Sequence, residues 1–426
     1  MSVDWDKILT KKRFGKEEGE ENVYVKDIRR ILYSTPFRRM QGKTQVFVLP
    51  EIDHIRNRLT HSLEVANICQ EITTRFLRKY TGRHPVPPEK HSDFISCAYA
   101  ASLLHDIGNP PFGHMGEYAI RQYFKNFFDI HRDKIQMSNS RKKDFLIFDG
   151  NAQGLRIVTK LAGWRENGGL RLSYSTIAAF IKYPFTSDSE YAQIKNKYGV
   201  AQSEIDDFHR IALHCTLSRD NGVINRHPVV YFVEAADDIC YITTDLEDAF
   251  RMMGYNTEAR NILERLSGTT TDKNIIDPAA QVAYLRSKAI DRLIDLVVKE
   301  AIDNWSDILD GSFFSLINPT QDCDGLLKDL YDAKEFCKNY IYHDQEKLIK
   351  EYKGYNVLSF LLDFFINHII FGKGNLSERA KYVLPKEYMQ TIEKRPNNHY
   401  AIMQTIVDYI SGMTDNYALK LYESIQ

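Results

Sequence analysis

An imidazole and a carboxylate on adjacent residues, His105 and Asp106, are followed across a Gly-Asn-Pro-Pro segment by a second such pair, His114 and Glu117, in the stretch LLHDIGNPPFGHMGE (Leu103–Glu117). Imidazole and carboxylate donors together suit a borderline divalent cation such as Mn, Fe, Zn or Co, and Mg less well. Adjacent helical residues point about 100° apart, so His105 and Asp106 reach one ion only if it lies in the wedge between them. Two ligands do not complete a site, and two further regions offer donors. His61, in RNRLTHSLEVANIC, sits on a helical pattern with Leu63, Val65 and Ile68; taken alone, a histidine so placed is more often a partly buried core residue. The segment VEAADDICYITTDLEDAF divides into an apolar stripe (Ala235, Ile239, Ile242, Leu246, Ala249) and an acidic side carrying Glu234, Asp237, Asp238, Tyr241, Asp245 and Asp248. An acidic face is usually only solvated, and the helical wheel sets Asp237 and Asp238 on its flanks without choosing between them. His114 and Glu117 are three residues apart, within reach of each other on one helix. A carboxylate that holds one imidazole nitrogen fixes the tautomer and raises the pKa, as a proton donor to a leaving group requires. The bland alternative is a helix-capping histidine with a glutamate in the first turn.

Helices must position these groups. Ile290, Leu293, Ile294, Val297, Ala301 and Ile302 fall at three- and four-residue steps, and similar steps recur from His61 to Tyr80, Phe94 to His105 and Ala401 to Ile410. Phe94, Ile95, Ala98, Ala101, Leu103 and Leu104 precede His105, which predicts the His-Asp pair at the C-terminal end of a buried helix, ended by Gly108 and not continued by the two prolines. Two-residue alternation is scarce, and the best strand candidate is TQVFVLP, Thr44–Pro50. The charge-dense KKRFGKEEGEEN reads as solvated and mobile, and HRDKIQMSNSRKKD (His131–Asp144) as a loop or exposed linker. The reading is an all-α protein with at most a short β-hairpin, one unit over residues 1–426, with a core over about 55–250 and a helical region over about 251–426 packed on it.

Of the 426 residues 43% are hydrophobic, enough for a large core. With 56 basic and 57 acidic residues the formal net charge is -1, so no global field marks nucleic acid or membrane as a partner and any anion site must be local. Cys69, Cys97, Cys215, Cys240, Cys323 and Cys337 are scattered without a CxxC pair, which fits buried small hydrophobes in a reducing compartment and argues against a zinc knuckle. The start, MSVDWDK, has no apolar signal region, and the greasiest run, VLSFLLDFFINHIIF (Val357–Phe371), is broken by Asp363, Asn367 and His368. The expectation is a cytoplasmic protein without a membrane partner. No Walker loop is present to cradle phosphate. Arg29, Arg30, Arg38, Arg39, Lys43, Arg56 and Arg58 make the N-terminal region locally basic, a composition suited to single-stranded DNA or an allosteric nucleotide.

In order along the chain, PFRRMQGKTQVF, RNRLTHSLEV, HDIGNPPFGHMGE, FDGNAQ, IKYPF, EAADDICYITTDLEDA and DYISGMTDNYA run from Thr35 to about Leu419. This ordered set resembles the HD-domain phosphohydrolases, specifically the deoxyguanosine triphosphate triphosphohydrolase branch, to which the animal SAM-and-HD-domain dNTP hydrolases are related. The resemblance implies an HD-type helical core with additional helices. It also implies a divalent cation (Mn, Mg, Fe, Co or Zn) on His61, His105, Asp106 and Asp237, and hydrolysis of dGTP or several dNTPs to deoxynucleoside and tripolyphosphate. Its pattern of Asp, Tyr at plus four and Asp at plus eight selects Asp237 over Asp238, sets Tyr241 against the deoxyribose and gives Asp245 the 3′-hydroxyl. His114 and Glu117 receive a catalytic role. Lys182, Tyr183 and Arg58 receive the phosphates, with a further lysine from KNKYG for which Lys195 and Lys197 are both eligible and Lys197 is carried forward. Gln41 matches a glutamine at the sugar's 3′ edge, and Tyr241 would crowd the 2′ position and favour deoxyribose. The implied chemistry is attack of a cation-activated water on the α-phosphorus, with His114 protonating the departing 5′-oxygen. Members of the family are homo-oligomers, dimers associated into hexamers or tetramers, so an oligomer is expected.

Two other classes use related residues. Another HD phosphohydrolase, such as a nucleotidase or a guanosine-tetraphosphate hydrolase, would lack the EAADDICY and GNPPFGH set and would release orthophosphate or pyrophosphate. A regulatory or nucleic-acid-binding HD protein would only sense nucleotides, against which the full ligand set and the His114-Glu117 pair argue.

Overall fold

The computed structural model describes residues 3–19, 21–48, 55–163, 169–219, 222–252, 256–272 and 274–426, the side chains of 16–19 and 376 excepted. Helix α1 (Arg58–Lys79) opens on a capping box: the Asn57 side chain accepts from the Thr60 amide and the Thr60 hydroxyl from the Asn57 amide. Its buried stripe, Val65, Ile68, Ile72 and Phe76, packs on α2 (His91–Leu104), where Ala98, Ala100 and Ala101 let the backbones approach closely. The chain turns through residues 105–112 into α3 (Gly113–Ile130), followed by α4 (Asn139–Leu146) and α5 (Gly150–Arg156). Helix α6 (Pro228–Met252) packs across α1 and α2, and α7 (Pro278–Asp303) lies against α1 and α6. After α8 (Gly325–Phe336), α9 (Gln345–Ile366) packs on α3 and on α10 (His399–Ser411) and α11 (Asp415–Ile425).

Among the described residues there are two large hydrophobic cores and a small third cluster of Ala152, Ala192, Tyr198 and Ala201, and the two large cores do not part at residue 250. Leu330, Ala333 and Phe336 of α8 join the core of α1, α2 and α6. Phe124 and Phe127 of α3 instead join Leu358, Leu361 and Phe365 of α9 and Met403 of α10. The stretch Gln345–Phe371 is long and apolar enough, by length and composition, to cross a membrane. In this fold Val357, Leu358, Leu361, Leu362, Phe365 and Ile366 are buried in the second core.

The protein is all-α apart from one short antiparallel hairpin among the described residues, β1 (Lys12–Arg13) with β2 (Lys16–Gly19). The strand expected at Thr44–Pro50 is not formed: Thr44 makes an isolated bridge to Asn57, Gln45 to Val48 are bends, and Leu49 and Pro50 lie outside the described residues. The Thr44 amide donates to the Asp415 carboxylate at 2.9 Å, so a side chain from α11 takes the place of a ladder. The hairpin falls instead in the charge-dense opening, which is only partly solvated. Phe14 is buried, and Arg13 reaches the buried Asp27 carboxylate at 2.6 Å; Glu20 lies outside the described residues. The polar stretch His131–Asp144 is not all linker either. Ser138 caps α4, and Ile135 and Asp144 are buried, the latter accepting from the Tyr400 hydroxyl at 2.6 Å.

Candidate active site

Helix α2 ends at Leu104 and His105 is its C-cap. The His105 Nδ1–H donates to the Ser102 carbonyl at 2.7 Å, which leaves a lone pair on Nε2. That Nε2 is buried without a hydrogen-bond partner. A buried polar atom left so is costly and marks a place where something binds. His61, in the first turn of α1 and 1% exposed, sets Nε2 3.0 Å from Asp237 Oδ1 on α6. His105 Nε2 lies 3.6 Å from the same oxygen and 3.6 Å from Asp106 Oδ2. One donor atom from each of His61, His105 and Asp237 lies within 4.8 Å of the others, and the 3.0 and 3.6 Å separations to Asp237 Oδ1 are those of donors about 2 Å from one shared divalent cation. The donors present therefore fit such a cation. Behind them, His61 Nδ1 faces Cys240 Sγ at 3.5 Å.

The Asp106 carboxylate accepts from Arg58 Nη1 at 2.6 Å and from the Asn109 amide. Burial pushes its pKa up, but the Arg58 and His105 charges outweigh that and hold it below the usual range. Burial is likewise outweighed at Asp237, by the charges of His105 and His61. Asp238 is on the other flank of α6, 3.8 Å from Lys334, and burial raises its carboxyl.

Gly108 does not end α2, which stops at Leu104. It is required for packing: a Cβ there would lie 2.1 Å from the Gly150 carbonyl oxygen and 2.2 Å from the Gly154 nitrogen. The turn is held from below by Lys43, whose ammonium donates to the Asn109 carbonyl at 2.6 Å and the Ser411 carbonyl at 2.7 Å. Asp415 accepts from the Phe112 amide at 2.9 Å. These contacts swing the chain back so that α3 presents His114 and Glu117 to the same cavity as His105, Asp106 and Asp237.

His114 Nδ1 lies 3.3 Å from Glu117 Oε2; the histidine side chain is 82% exposed and the glutamate 4%. Glu117 Oε1 accepts from the Gly150 amide at 2.8 Å, while Oε2 also meets Lys197 at 3.3 Å and Arg121 at 3.7 Å. Burial raises the Glu117 carboxyl, yet the bond from His114 and the charge of Lys197 hold it well below the usual carboxylate range. Asp149 of FDGNAQ caps α5 and lies 3.6 Å from Lys197.

The cavity has a volume of about 610 Å³. Arg58, His105, Asp106, His114 and Glu117 line it together with Lys182, Tyr183, Lys197, Asp237 and Tyr241. His61 is not among the lining residues and meets Asp237 at 3.0 Å. Lys195 is elsewhere, its ammonium over the Phe314 ring at 4.9 Å in an adjoining cavity. Asp245 does not line the cavity; it is buried, accepts from the Tyr342 hydroxyl at 2.6 Å, and is pushed by burial up to about 7. Gln41, expected at the sugar's 3′ edge, is exposed on a short 3-10 turn and is not among the residues that line the cavity. Gln45, in the same QGKTQ stretch, lines it with a buried Oε1 that has no partner among the described residues. Residue spacing does not choose between the two glutamines. Tyr342 and the Lys347–Glu351 pair, 2.5 Å apart, also reach the cavity, and no sequence signal ties those residues to α6. Of the N-terminal basic residues, Arg56 is taken up by Glu64 at 2.9 Å and by Glu247 and Asp248 at 2.6 Å.

A helical fold with a His/Asp donor set facing cationic side chains defines a phosphohydrolase of the HD type. Residues 58–168 match the HD domain and residues 324–424 the phosphohydrolase-associated domain. A deoxyguanosinetriphosphate triphosphohydrolase-like protein of Synechocystis is 34% identical, over 100% of this chain and 99% of its own length. One of Pseudomonas aeruginosa is 34% identical over 98% of each chain, and a deoxyguanosinetriphosphate triphosphohydrolase of Yersinia enterocolitica is 27% identical over 98% of each. The chain belongs to the deoxyguanosinetriphosphate triphosphohydrolase-like family of HD-domain hydrolases.

Proposed function

We propose that the protein hydrolyses deoxynucleoside triphosphates to deoxynucleoside and tripolyphosphate, with a divalent cation held by His61, His105, Asp106 and Asp237. The observation that carries this reading is the unpartnered His105 Nε2, which faces Asp237 and Asp106 in a cavity that also holds Arg58, Lys182 and Lys197. When bound, the cation supplies Lewis acidity and a more acidic water nucleophile.

Helix α6 sets the order of the substrate's parts. Glu234, beside Lys182 at 3.4 Å, precedes Asp237 by three residues, and Tyr241 follows it by four. At 1.5 Å per residue these steps are about 4.5 and 6 Å along the axis. A ligand lying along α6 places its anionic end at Lys182 and Tyr183, its reacting phosphorus at Asp237 and its sugar against Tyr241. Arg58 and Lys197 offset charge on the phosphate oxygens. His114 is free to approach the 5′-oxygen with its Nε2 proton, while Glu117 holds Nδ1 and is itself fixed by the Gly150 amide. Gln45 and Tyr241 close on the sugar edge, where Tyr241 crowds the 2′ position and favours deoxyribose.

The test is turnover of a dNTP panel with Mn, Mg, Co, Fe and Zn, with products separated by anion exchange. Deoxynucleoside and intact tripolyphosphate are expected. Orthophosphate or pyrophosphate as the primary product would reassign the protein to another HD phosphohydrolase, and tight dNTP binding without turnover under every metal would make it a sensor.

A further inference from the structure

A second, larger cavity of about 870 Å³ adjoins the first and shares Lys182, Tyr183, Glu234 and Asp238 with it. It meets the first cavity at Lys182 and Tyr183, where the anionic end of the triphosphate is placed, and flanks α6 at Glu234 and Asp238. Its charge suits an anion. Lys182, Lys195, Arg219 and Arg226 line it against Glu234 and Asp238. Glu234 is bracketed by Lys182 and Arg226, which leaves Lys195 and Arg219 without an ion pair among the described residues. Burial and the neighbouring Arg226 and Lys182 charges lower the Lys195 pKa, as crowding of like charges requires. The far wall is aromatic: Tyr191 and Phe314 are 68% and 62% exposed, and Lys195 stands over the Phe314 ring at 4.9 Å. Cations interleaved with open aromatic faces bind a phosphate chain that ends in a stacked base.

Resting on the dNTP reading of the adjoining site, we propose that this second cavity receives the remainder of a longer substrate, a deoxynucleoside polyphosphate capped at its far end by a second nucleoside. The bond chemistry is unchanged. Water oxygen bonds to the α-phosphorus, the bond from that phosphorus to the deoxynucleoside 5′-oxygen breaks, and the 5′-oxygen leaves with a proton as the alcohol. The second product is the other nucleoside carrying the whole polyphosphate.

The probe is deoxyguanosine joined to adenosine through their 5′-oxygens by a tetraphosphate, compared with dGTP on the full chain with the best metal. Deoxyguanosine and adenosine 5′-tetraphosphate are the expected products, with kcat/KM within about tenfold of that for dGTP. Arg219→Glu and Phe314→Ala, both remote from the metal donors, should lower kcat/KM for the capped substrate by about fivefold or more and leave dGTP within about twofold, with unchanged melting temperature. Turnover of dGTP with the capped substrate slower by more than about a hundredfold overturns this inference and leaves the dNTP reading intact. Equal losses on both substrates in the two variants also overturn it. Failure of both substrates overturns the dNTP reading, and this inference with it.

Discussion

Replacing His114 by alanine separates proton donation from metal binding and from folding. The side chain is 82% exposed and its polar contact is one bond of 3.3 Å to Glu117, so its removal uncovers little and should change stability by less than about 0.5 kcal/mol. It is also outside the donor set around His105 Nε2, so metal content should be unchanged. If His114 protonates the 5′-oxygen, kcat on dGTP should nonetheless fall about 10²–10⁴-fold, a rise in barrier of roughly 3–5 kcal/mol. Glu117→Gln perturbs differently. It takes a buried carboxylate away from Lys197 at 3.3 Å and Arg121 at 3.7 Å, so a stability loss of about 1–3 kcal/mol should accompany an intermediate loss of rate. The assay pairs melting temperature and elemental analysis with kcat on dGTP and on the 4-nitrophenyl ester of tripolyphosphate, whose phenolate leaves without a proton. His114→Ala should recover most of its rate on the ester. A variant equally slow on both substrates, or one depleted of metal, would refute the assignment of His114 as the general acid.

His105→Ala removes the orphaned donor and should lower bound metal and turnover together; a variant with full metal content and full turnover contradicts the proposed ligand set. Gln45→Ala should lower the preference for dGTP over GTP by about tenfold while Gln41→Ala leaves it unchanged, and the opposite pattern would restore Gln41 to the site. Asp245 carries a pKa raised by burial to about 7, against about 3.9 unfolded, so between those values the folded state binds its proton more tightly and stability falls as pH rises, levelling off above about 7. Tyr342→Phe removes the donor that favours the charged form, so by urea denaturation it should cost about 1–3 kcal/mol more near pH 8 than near pH 5; equal costs at the two pH values would show that Asp245 does not titrate in this window.

The helical period of α1 and α7 is a local property of side-chain pattern, and it was legible because each buries one face, whereas α10 and the end of α2 are buried on nearly every side. Residue type is equally local: His61, His105, Asp106 and the Asp237-Asp238 doublet announce themselves as donors wherever the chain takes them. What brings them together is not local. His61 and Asp237 are 176 residues apart, and which aspartate faces the histidines depends on the side from which α1 meets α6 and α8 brings Lys334 to the other flank. Lys195 and Lys197 are two residues apart yet serve different cavities, because Asn196 between them takes the left-handed conformation at φ 52° and turns the chain. Gln41 and Gln45 share one motif, and the choice between them rests on Asp415, 371 residues beyond Thr44, capturing the Thr44 amide and bending the segment that β-branched residues marked as a strand. By itself the sequence determined the helical class, the chemical type of the donors and the family they resemble. Only tertiary packing decided which of several chemically equivalent neighbours enters the cavity, since a short-range pattern specifies a face of a helix or turn but not what that face will meet.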